Sequence, residues 1–199
     1  MTKDWQQQRN TFRHGSVPQA LLEAALARLK TKEATSLKLR ELARDVGIDH
    51  RAVYRHYADK LTLIAAIAEH AWRVLGQEMA AAAKAQPAGE ETLIACGVSF
   101  FFFAKDNPNL FHLMSGSRLN TSGSFPELEL RMVEGLLIFQ RNFEQLGHER
   151  NEARARAALY ASALQGVSMQ ILYKRLKLSN RRAHAEMANI CRMLVKGFR

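Results

Sequence analysis

Residues 39–60 read "LRELARDVGIDHRAVYRHYADK" and contain two short helical patterns separated by a glycine. The apolar residues of the first pattern recur at intervals of three and four, and so share one helical face: Leu39, Leu42, Ala43 and Val46. Gly47 follows at once, and glycine readily takes the left-handed conformation that ends many helices. The stretch therefore predicts a helix of two turns followed by a tight turn.

A third helix is predicted to begin after Asp49, whose carboxylate can accept hydrogen bonds from backbone amides two or three residues further on. We expect this helix to close at Tyr57 and Ala58, and Asp59 to cap a fourth helix in the same way. Small Ala43 lets the two short helices cross closely. Two short helices joined by a glycine turn form a helix-turn-helix.

The outward face of the third helix is rich in hydrogen-bond donors, because Ile48 and Val53 are expected to pack inward. The outward side chains are His50, Arg51, Tyr54 and Arg55. Donors collected on one face of a short helix suit the major groove of DNA. On periodicity alone, an ordinary solvated surface is the alternative.

The positive charge of the chain is concentrated at its two ends. The net charge is +10. Residues 1–60 hold 12 basic and 7 acidic residues, and residues 147–199 hold 11 basic and 3 acidic residues. The middle segment, 61–146, holds 6 basic and 9 acidic residues. This distribution favours a polyanionic partner, with nucleic acid first. We expect the excess on 147–199 to form a solvated face, with pairing to the acidic middle segment or an anionic effector as alternatives.

The rest of the chain also follows helical patterns. Further helices are predicted at about 18–31, 60–84, 90–105, 108–115, 126–146, 149–176 and 179–197, with Asn107 capping the sixth before Pro108. Phe100 to Phe103 cover the whole circumference of the fifth helix, so this helix is predicted to lie at the centre of a bundle. The predicted fold is all-α with about nine helices. A helix-turn-helix domain at 1–60 is joined by the long fourth helix to a helical domain at 61–199.

Several classes of protein are disfavoured by the same sequence. It has no glycine-rich phosphate loop, no metal-type Cys/His spacing and no nucleophile motif, so neither an enzyme nor a cofactor or metal is predicted. Cys96 and Cys191 are far apart and are predicted to be buried thiols in a reducing compartment. No apolar run has the length of a membrane span and no signal peptide is evident, so we expect a cytoplasmic protein.

The stretch "LRELARDVGIDHRAVYRHYADKLTLI" (39–64) resembles part of the N-terminal DNA-binding domain of the TetR family of transcriptional regulators. The resemblance as a whole covers about residues 18–70. The matching positions are Leu39, Leu42, Ala43, Gly47, Val53, Tyr54, His56, Tyr57, Lys60, Leu63 and Ile64. Three features depart from the family pattern. The link between the first two helices is short and lacks the usual glycine, Lys38 stands where Ser or Thr often caps the second helix, and Leu61 replaces a common Glu.

The resemblance implies roles in DNA binding for several polar residues of this domain. Four side chains would hold DNA phosphates: Arg40, Tyr54, His56 and Lys60. The candidates for base contacts are His50, Arg51 and Arg55, with Ala52 close enough to touch a thymine methyl group. Phosphate contacts set the register of the protein on DNA, and base contacts choose the sequence.

The resemblance also implies a homodimer formed through the eighth and ninth helices and a cavity for a small, apolar effector. The candidate dimer residues are Ala157, Ala161, Leu164, Val167 and Ile171, for which packing inside the protomer is the alternative. The candidate pocket residues are Phe100, Phe103, Phe111, Met114, Met132, Phe139, Tyr160 and Met169, for which a purely structural core is the alternative.

The predicted function is therefore a ligand-responsive repressor that binds a palindromic DNA operator as a homodimer and is released by its effector. A basic helical adaptor that binds another protein, without sequence-specific DNA binding, is the second hypothesis.

Overall fold

Nine α-helices make up most of residues 17–116, 119 and 123–197, the part of the chain that this computed structural model describes. In chain order they are α1 Val17–Leu29, α2 Leu39–Val46, α3 His50–Val53, α4 Lys60–Lys84, α5 Glu90–Asp106, α6 Pro108–Met114, α7 Pro126–Gln145, α8 Arg150–Leu172 and α9 Ala183–Gly197. A single 3-10 turn, Ala34–Ser36, lies between α1 and α2. The predicted all-α fold is confirmed.

Helix α5 lies at the centre of the bundle, as its run of phenylalanines predicts. It packs against α4, α6, α7, α8 and α9. Phe100, Phe101 and Phe103 are buried, and Phe102 is half-buried beside His184 of α9. A helix that is apolar around its whole circumference is stable in water only when other helices surround it.

The beginnings of α3 and α4 agree with their predicted caps. The Asp49 carboxylate accepts a hydrogen bond from the Arg51 amide at 2.7 Å, and the Asp59 carboxylate accepts one from the Thr62 amide, also at 2.7 Å. Each bond satisfies a backbone N–H that has no partner within its helix.

Other predicted helix ends are wrong. Asn107 does not cap α6, because its side-chain amide donates instead to the Phe103 carbonyl of α5 at 3.1 Å. Helix α8 ends at Leu172 and α9 begins at Ala183, so the predicted ranges 149–176 and 179–197 are both too long. Lys174 takes a φ of 59°, a left-handed conformation that cannot continue a right-handed helix.

A hydrogen bond between elements marks each of the two ends of the bundle. At one end, which we call the head end, Asn109 of α6 donates to the Leu29 carbonyl of α1 at 3.0 Å. At the other, the far end, the Gly89 amide donates to the Asn142 side chain of α7 at 2.9 Å. Helices α4, α5, α7, α8 and α9 run between the two ends. The three N-terminal helices therefore attach to the head end through α1, α4 and α6.

The two cysteines are fully buried and unpaired, as predicted. Burial raises the pKa of the Cys96 thiol to about 12, so this side chain stays neutral and apolar. Among the described helices, none combines the length and the apolar character that crossing a bilayer requires.

Candidate nucleic-acid interface

Helix α2 is held against α1 by one arginine. Arg28 of α1 donates to both carboxylate oxygens of Asp45 at 2.5 and 3.0 Å, and to Glu41 at 2.6 Å. These hydrogen bonds hold the pKa values of the Asp45 and Glu41 carboxyl groups below their usual range. The clamp therefore joins α1 to α2 at the edge of the apolar contacts between them.

The turn between α2 and α3 has the geometry that the sequence predicts. Gly47 has a φ of 74°, in the left-handed region that favours glycine, and the Ile48 amide donates to the Ala43 carbonyl at 2.9 Å. Ala43 is buried below this crossing, and Val53 of α3 is buried against the same core. Helices α2 and α3 therefore form a helix-turn-helix.

Helix α3 is shorter than predicted. Its α-helical part stops at Val53, and the chain continues in tight turns in which the amides of His56 and Tyr57 both donate to the Val53 carbonyl. Tyr57 is buried, and its hydroxyl group donates to the Pro18 carbonyl of α1 at 3.3 Å. The need to bury this ring against α1 takes the chain off the helical path before Ala58.

The side chains predicted to meet DNA lie outside the core of this domain. His50, Arg51, Tyr54, Arg55 and His56 are exposed, Tyr54 with 49% of its surface, and Ala52 is half-buried. Arg51 and Arg55 form none of the ion pairs found in the described residues, and His50 lies 3.6 Å from Asp49. The structure thus brings these six side chains together on and just after one short helix.

Two further candidates flank this surface. Arg40 is exposed in the first turn of α2, where free backbone amides also favour an anion. Lys60 begins α4 and donates one of its three ammonium hydrogens to the Thr35 carbonyl at 2.8 Å. Lys60 therefore ties the α1–α2 connection to α4 and has donors left for a phosphate. No sequence pattern predicted that tie.

The predicted pocket residues divide between a cavity and the solid core. A cavity of about 230 Å³ lies between α4, α5, α7, α8 and the end of α6. Four of the eight predicted residues line it: Phe100, Met114, Met132 and Phe139. Phe103 lines a different cleft, of about 610 Å³, where α1, α4 and α6 meet.

The other three predicted pocket residues are packing residues. Phe111 is buried with its ring edge-on to Phe100, and Met169 packs at the edge of the core. Tyr160 is fully buried, and its hydroxyl group donates to the Leu93 carbonyl at 2.9 Å. Phe, Met and Tyr occur at helical spacing both in a packed core and around a cavity. The sequence therefore could not show which of these residues line the cavity.

Several residues that line the 230 Å³ cavity were not predicted. They are Trp72, Met79, Ser115, Gly135, Leu136, Ala158, Ala161, Ser162 and Gln165. Among the described residues, none of the lining side chains is charged. Ser162 and Gln165 are small or neutral polar residues on an exposed part of α8, a type that carries no sequence signal for a ligand site.

The predicted dimer residues face mostly inward. Ala157 and Leu164 are buried within the protomer, and Ala161, Val167 and Ile171 are half-buried against the same core. The burial of Ala157 and Leu164 favours the alternative, packing inside the protomer, and a role for them in the dimer contact stays a prediction. The open face of α8 carries Leu159, Ser162 and Gly166 instead, and α9 exposes Met193.

No known protein-family model matches the chain. Its fold, however, is shared by solved structures. A regulatory protein in the TetR family from Rhodococcus RHA1 has a TM-score of 0.66 at 18% identity, with 94% of this chain and 97% of that one covered. BioQ with its double-stranded DNA operator has a TM-score of 0.65 at 18% identity, with 91% and 96% covered.

A third solved structure is a variant of TetR from Acinetobacter baumannii AYE in complex with minocycline. Its TM-score is 0.64 at 18% identity, with 89% of this chain and 93% of that one covered. At these identities the likeness is one of fold. The chain therefore has the fold of the TetR-family regulators, a helix-turn-helix domain on a helical bundle.

Proposed function

We propose that this protein is a DNA-binding regulator of transcription of the TetR type. The observation that carries the proposal is the surface formed by α3 and the turn after it, where Arg51, Tyr54 and Arg55 are exposed. The Asp49 cap and the buried Val53 fix this short helix on the domain. A fold likeness to BioQ, which was solved with its operator DNA, supports the same role. As a regulator of transcription, the protein would act in the cytoplasm.

In this proposal the polar side chains have separate tasks. Arg51 and Arg55, with His50, reach base edges in the major groove, and Ala52 contacts a thymine methyl group. Arg40, Tyr54, His56 and Lys60 hold phosphates on either side. The hydrogen bond from Lys60 to the Thr35 carbonyl holds the start of α4 next to the connection that leads into α2. In this proposal the two helices therefore contact phosphates at the same time.

We propose that the functional unit is a homodimer, because one helix-turn-helix reads only about half of an operator. The surface that we assign to the partner is the open face of α8 and α9, with Leu159 exposed over 56% of its surface and Met193 over 66%. Ser162 and Gly166 lie beside Leu159 and let a second helix approach closely. Two such faces related by a two-fold axis would form a contact of four helices. The two helix-turn-helix domains, which we call the reading heads, would then lie on the same side of the dimer.

The 230 Å³ cavity is the proposed effector site. Its uncharged lining makes an ionised ligand costly to bury, so the proposed effector is a neutral, apolar or aromatic molecule. Helix α4 lines this cavity and begins at the reading head, and thus connects the two sites. A ligand that binds more tightly when the two reading heads are spaced differently from the two half-sites would shift the dimer into that state. The dimer would then leave its operator, as expected when an inducer binds a repressor.

Selection of bound duplexes from a random DNA pool tests the proposal. The expected result is an enriched palindrome with half-sites about one helical turn apart, with an affinity that falls steeply with salt. A protein-binding adaptor would enrich no sequence. Failure to enrich any sequence, together with an affinity for DNA that does not depend on salt, would overturn the proposed function.

A screen of neutral aromatic compounds tests the effector site. Compounds that bind should raise the melting temperature of the protein and weaken its complex with the selected duplex. Substitution of Ala161 by Phe places a ring in the cavity and should abolish both effects while DNA binding is kept. A compound that keeps both effects in this variant must bind elsewhere.

A further inference from the structure

The loop that joins α8 to α9 carries a dense positive charge. Residues 174–182 include five basic residues and no acidic one, and we call them the basic loop: Lys174, Arg175, Lys177, Arg181 and Arg182. All five are exposed. None of them takes part in the ion pairs found within the described residues, and Arg175 lies over the ring of Tyr173, 5.3 Å from its centroid.

The basic loop lies at the head end of the bundle. Tyr173, directly before it, has its ring 5.3 Å from that of His112 on α6. The same Tyr173 lines a cleft of about 320 Å³ together with Glu33 and Thr35, which belong to the connection between α1 and α2. The basic loop therefore begins beside α6 and the connection between α1 and α2, whereas the basic residues near the start of α8 lie at the far end.

Hydrogen bonds join the basic loop to the two helices that it connects. The amides of Arg175 and Leu176 both donate to the Gln170 carbonyl at the end of α8, at 2.9 and 3.1 Å. The Ser179 amide donates to the Glu186 carboxylate of α9 at 2.8 Å, and the Arg182 amide donates to the Ser179 carbonyl at 3.1 Å. Five like charges on nine consecutive residues repel one another, and a bound anion would offset that repulsion.

We propose that the basic loop is a second phosphate-binding surface, which contacts the DNA backbone between the two half-sites. The inference rests on the proposed DNA-binding function and on a dimer through α8 and α9. Such a dimer would bring both basic loops near its two-fold axis, between the two heads. Phosphates of the central base pairs lie there, and long Lys and Arg side chains bind them without reading the sequence.

A charge-matched pair of triple variants tests the proposal. The first is Lys177→Gln/Arg181→Gln/Arg182→Gln in the basic loop. The second, Lys84→Gln/Arg150→Gln/Arg154→Gln, removes the same charge from exposed positions at the far end. Fluorescence anisotropy measures binding to a random-sequence duplex of about 40 base pairs at salt concentrations between about 50 and 200 mM.

The basic-loop variant should bind roughly tenfold more weakly, and its plot of log affinity against log salt should be shallower by about 1 for each phosphate that is no longer neutralised. The far-end variant should keep the slope of the unmodified protein. Equal slopes for all three proteins would overturn the role of the basic loop and leave the proposed function intact. An unmodified protein that binds no duplex would instead overturn the proposed function.

A chemical probe reports where the loop lies on DNA. Lys177→Cys provides one exposed thiol, because Cys96 and Cys191 are fully buried, and this thiol can carry a tethered iron chelate. On the duplex selected from the random pool, cleavage should centre between the half-sites. Cleavage outside them, or none while the protein stays bound, would contradict the proposal.

Discussion

Arg28 and Asp45 join α1 to α2 through two parallel hydrogen bonds, from the Nε and Nη2 atoms to the two carboxylate oxygens. Glu41 accepts a third bond from the same guanidinium group. Bidentate pairs of this kind fix both distance and orientation. Because α2 packs against α3, this pair of residues contributes to holding the candidate DNA-binding surface on α1.

The Arg28 clamp should make the stability of the N-terminal domain depend on pH. The pKa values of Glu41 and Asp45 lie below their ordinary values of 4.5 and 3.8. Their contribution is therefore present above those values and is lost as the pH falls through the lower, folded-state values. We expect Arg28→Met to lower the melting temperature by a few degrees at pH 7 and hardly at all once the pH lies below both folded-state pKa values.

Thermal melts of the two proteins across this range check the prediction, and Arg28→Lys is the control that keeps one charge but removes the bidentate geometry. Because the carboxylates are partly exposed, solvent screening keeps the effect modest. A difference in melting temperature that persists unchanged in acid would assign the loss to packing of the Arg28 stem.

Arg51 and Lys60 should differ in what their removal does to DNA binding. Arg51→Ala is expected to cost ~1–3 kcal/mol on the selected duplex and little on scrambled DNA, because it removes a base contact. Lys60→Ala is expected to weaken both duplexes about equally, because it removes a phosphate contact. Titrations of both variants on both duplexes measure this, and the reverse pattern would refute the division of roles.

The tie between Lys60 and the Thr35 carbonyl requires a control for stability. Lys60→Arg keeps a charged donor at this position and should retain most of the affinity. If Lys60→Ala lowers the melting temperature as well as the affinity for both duplexes, the structural tie accounts for part of the loss. If the melting temperature of Lys60→Ala is unchanged, the loss of affinity is caused by the missing phosphate contact.

Gly166 offers a test of the dimer surface that does not disturb the protomer. A β-carbon added at this position meets nothing within 4 Å, and the residue is exposed, so a side chain added here can extend into solvent in the isolated chain. We expect Gly166→Arg to give a monomer at micromolar concentration by sedimentation analysis, because it puts a buried, unpaired charge into the contact. Gly166→Ala is the matched control and should remain dimeric.

A Gly166→Arg protein that dimerises as tightly as the unmodified one would show that another surface is used. An unmodified protein that is monomeric would refute the dimer itself.

Gly97 of α5 should tolerate no side chain. An added β-carbon would lie 2.5 Å from the Tyr160 hydroxyl oxygen and 2.7 Å from the Cys191 sulfur, both of which belong to buried residues. We expect Gly97→Ala to cost ~1–3 kcal/mol through overpacking, measured by chemical denaturation. Gly76→Ala is the control, since its β-carbon meets nothing within 4 Å and alanine favours the helix. Equal stability of the two variants would mean that the core relaxes around Gly97.

Local features of the helix-turn-helix were predictable from the sequence because each depends on one residue and its neighbours. Gly47 alone can take a positive φ without strain, and the carboxylates of Asp49 and Asp59 can reach only the amides that follow them. The limits of α4 were predicted closely for the same reason. Helix α3 was predicted too long, because the burial of Tyr57 against α1 is a contact across 39 residues.

The sequence by itself determined the all-helical architecture, the central place of α5 and the set of polar side chains on α3 and in the turn after it. These follow from periodicity, caps and the circumference of a helix, which are properties of short segments. Only the tertiary structure decided which side of α8 is buried, which aromatic residues border a cavity and that the basic loop adjoins the reading head. Those outcomes depend on distances between segments far apart in the chain, and a buried Ala157 and an exposed Gly166 look alike until the helices around them are in place.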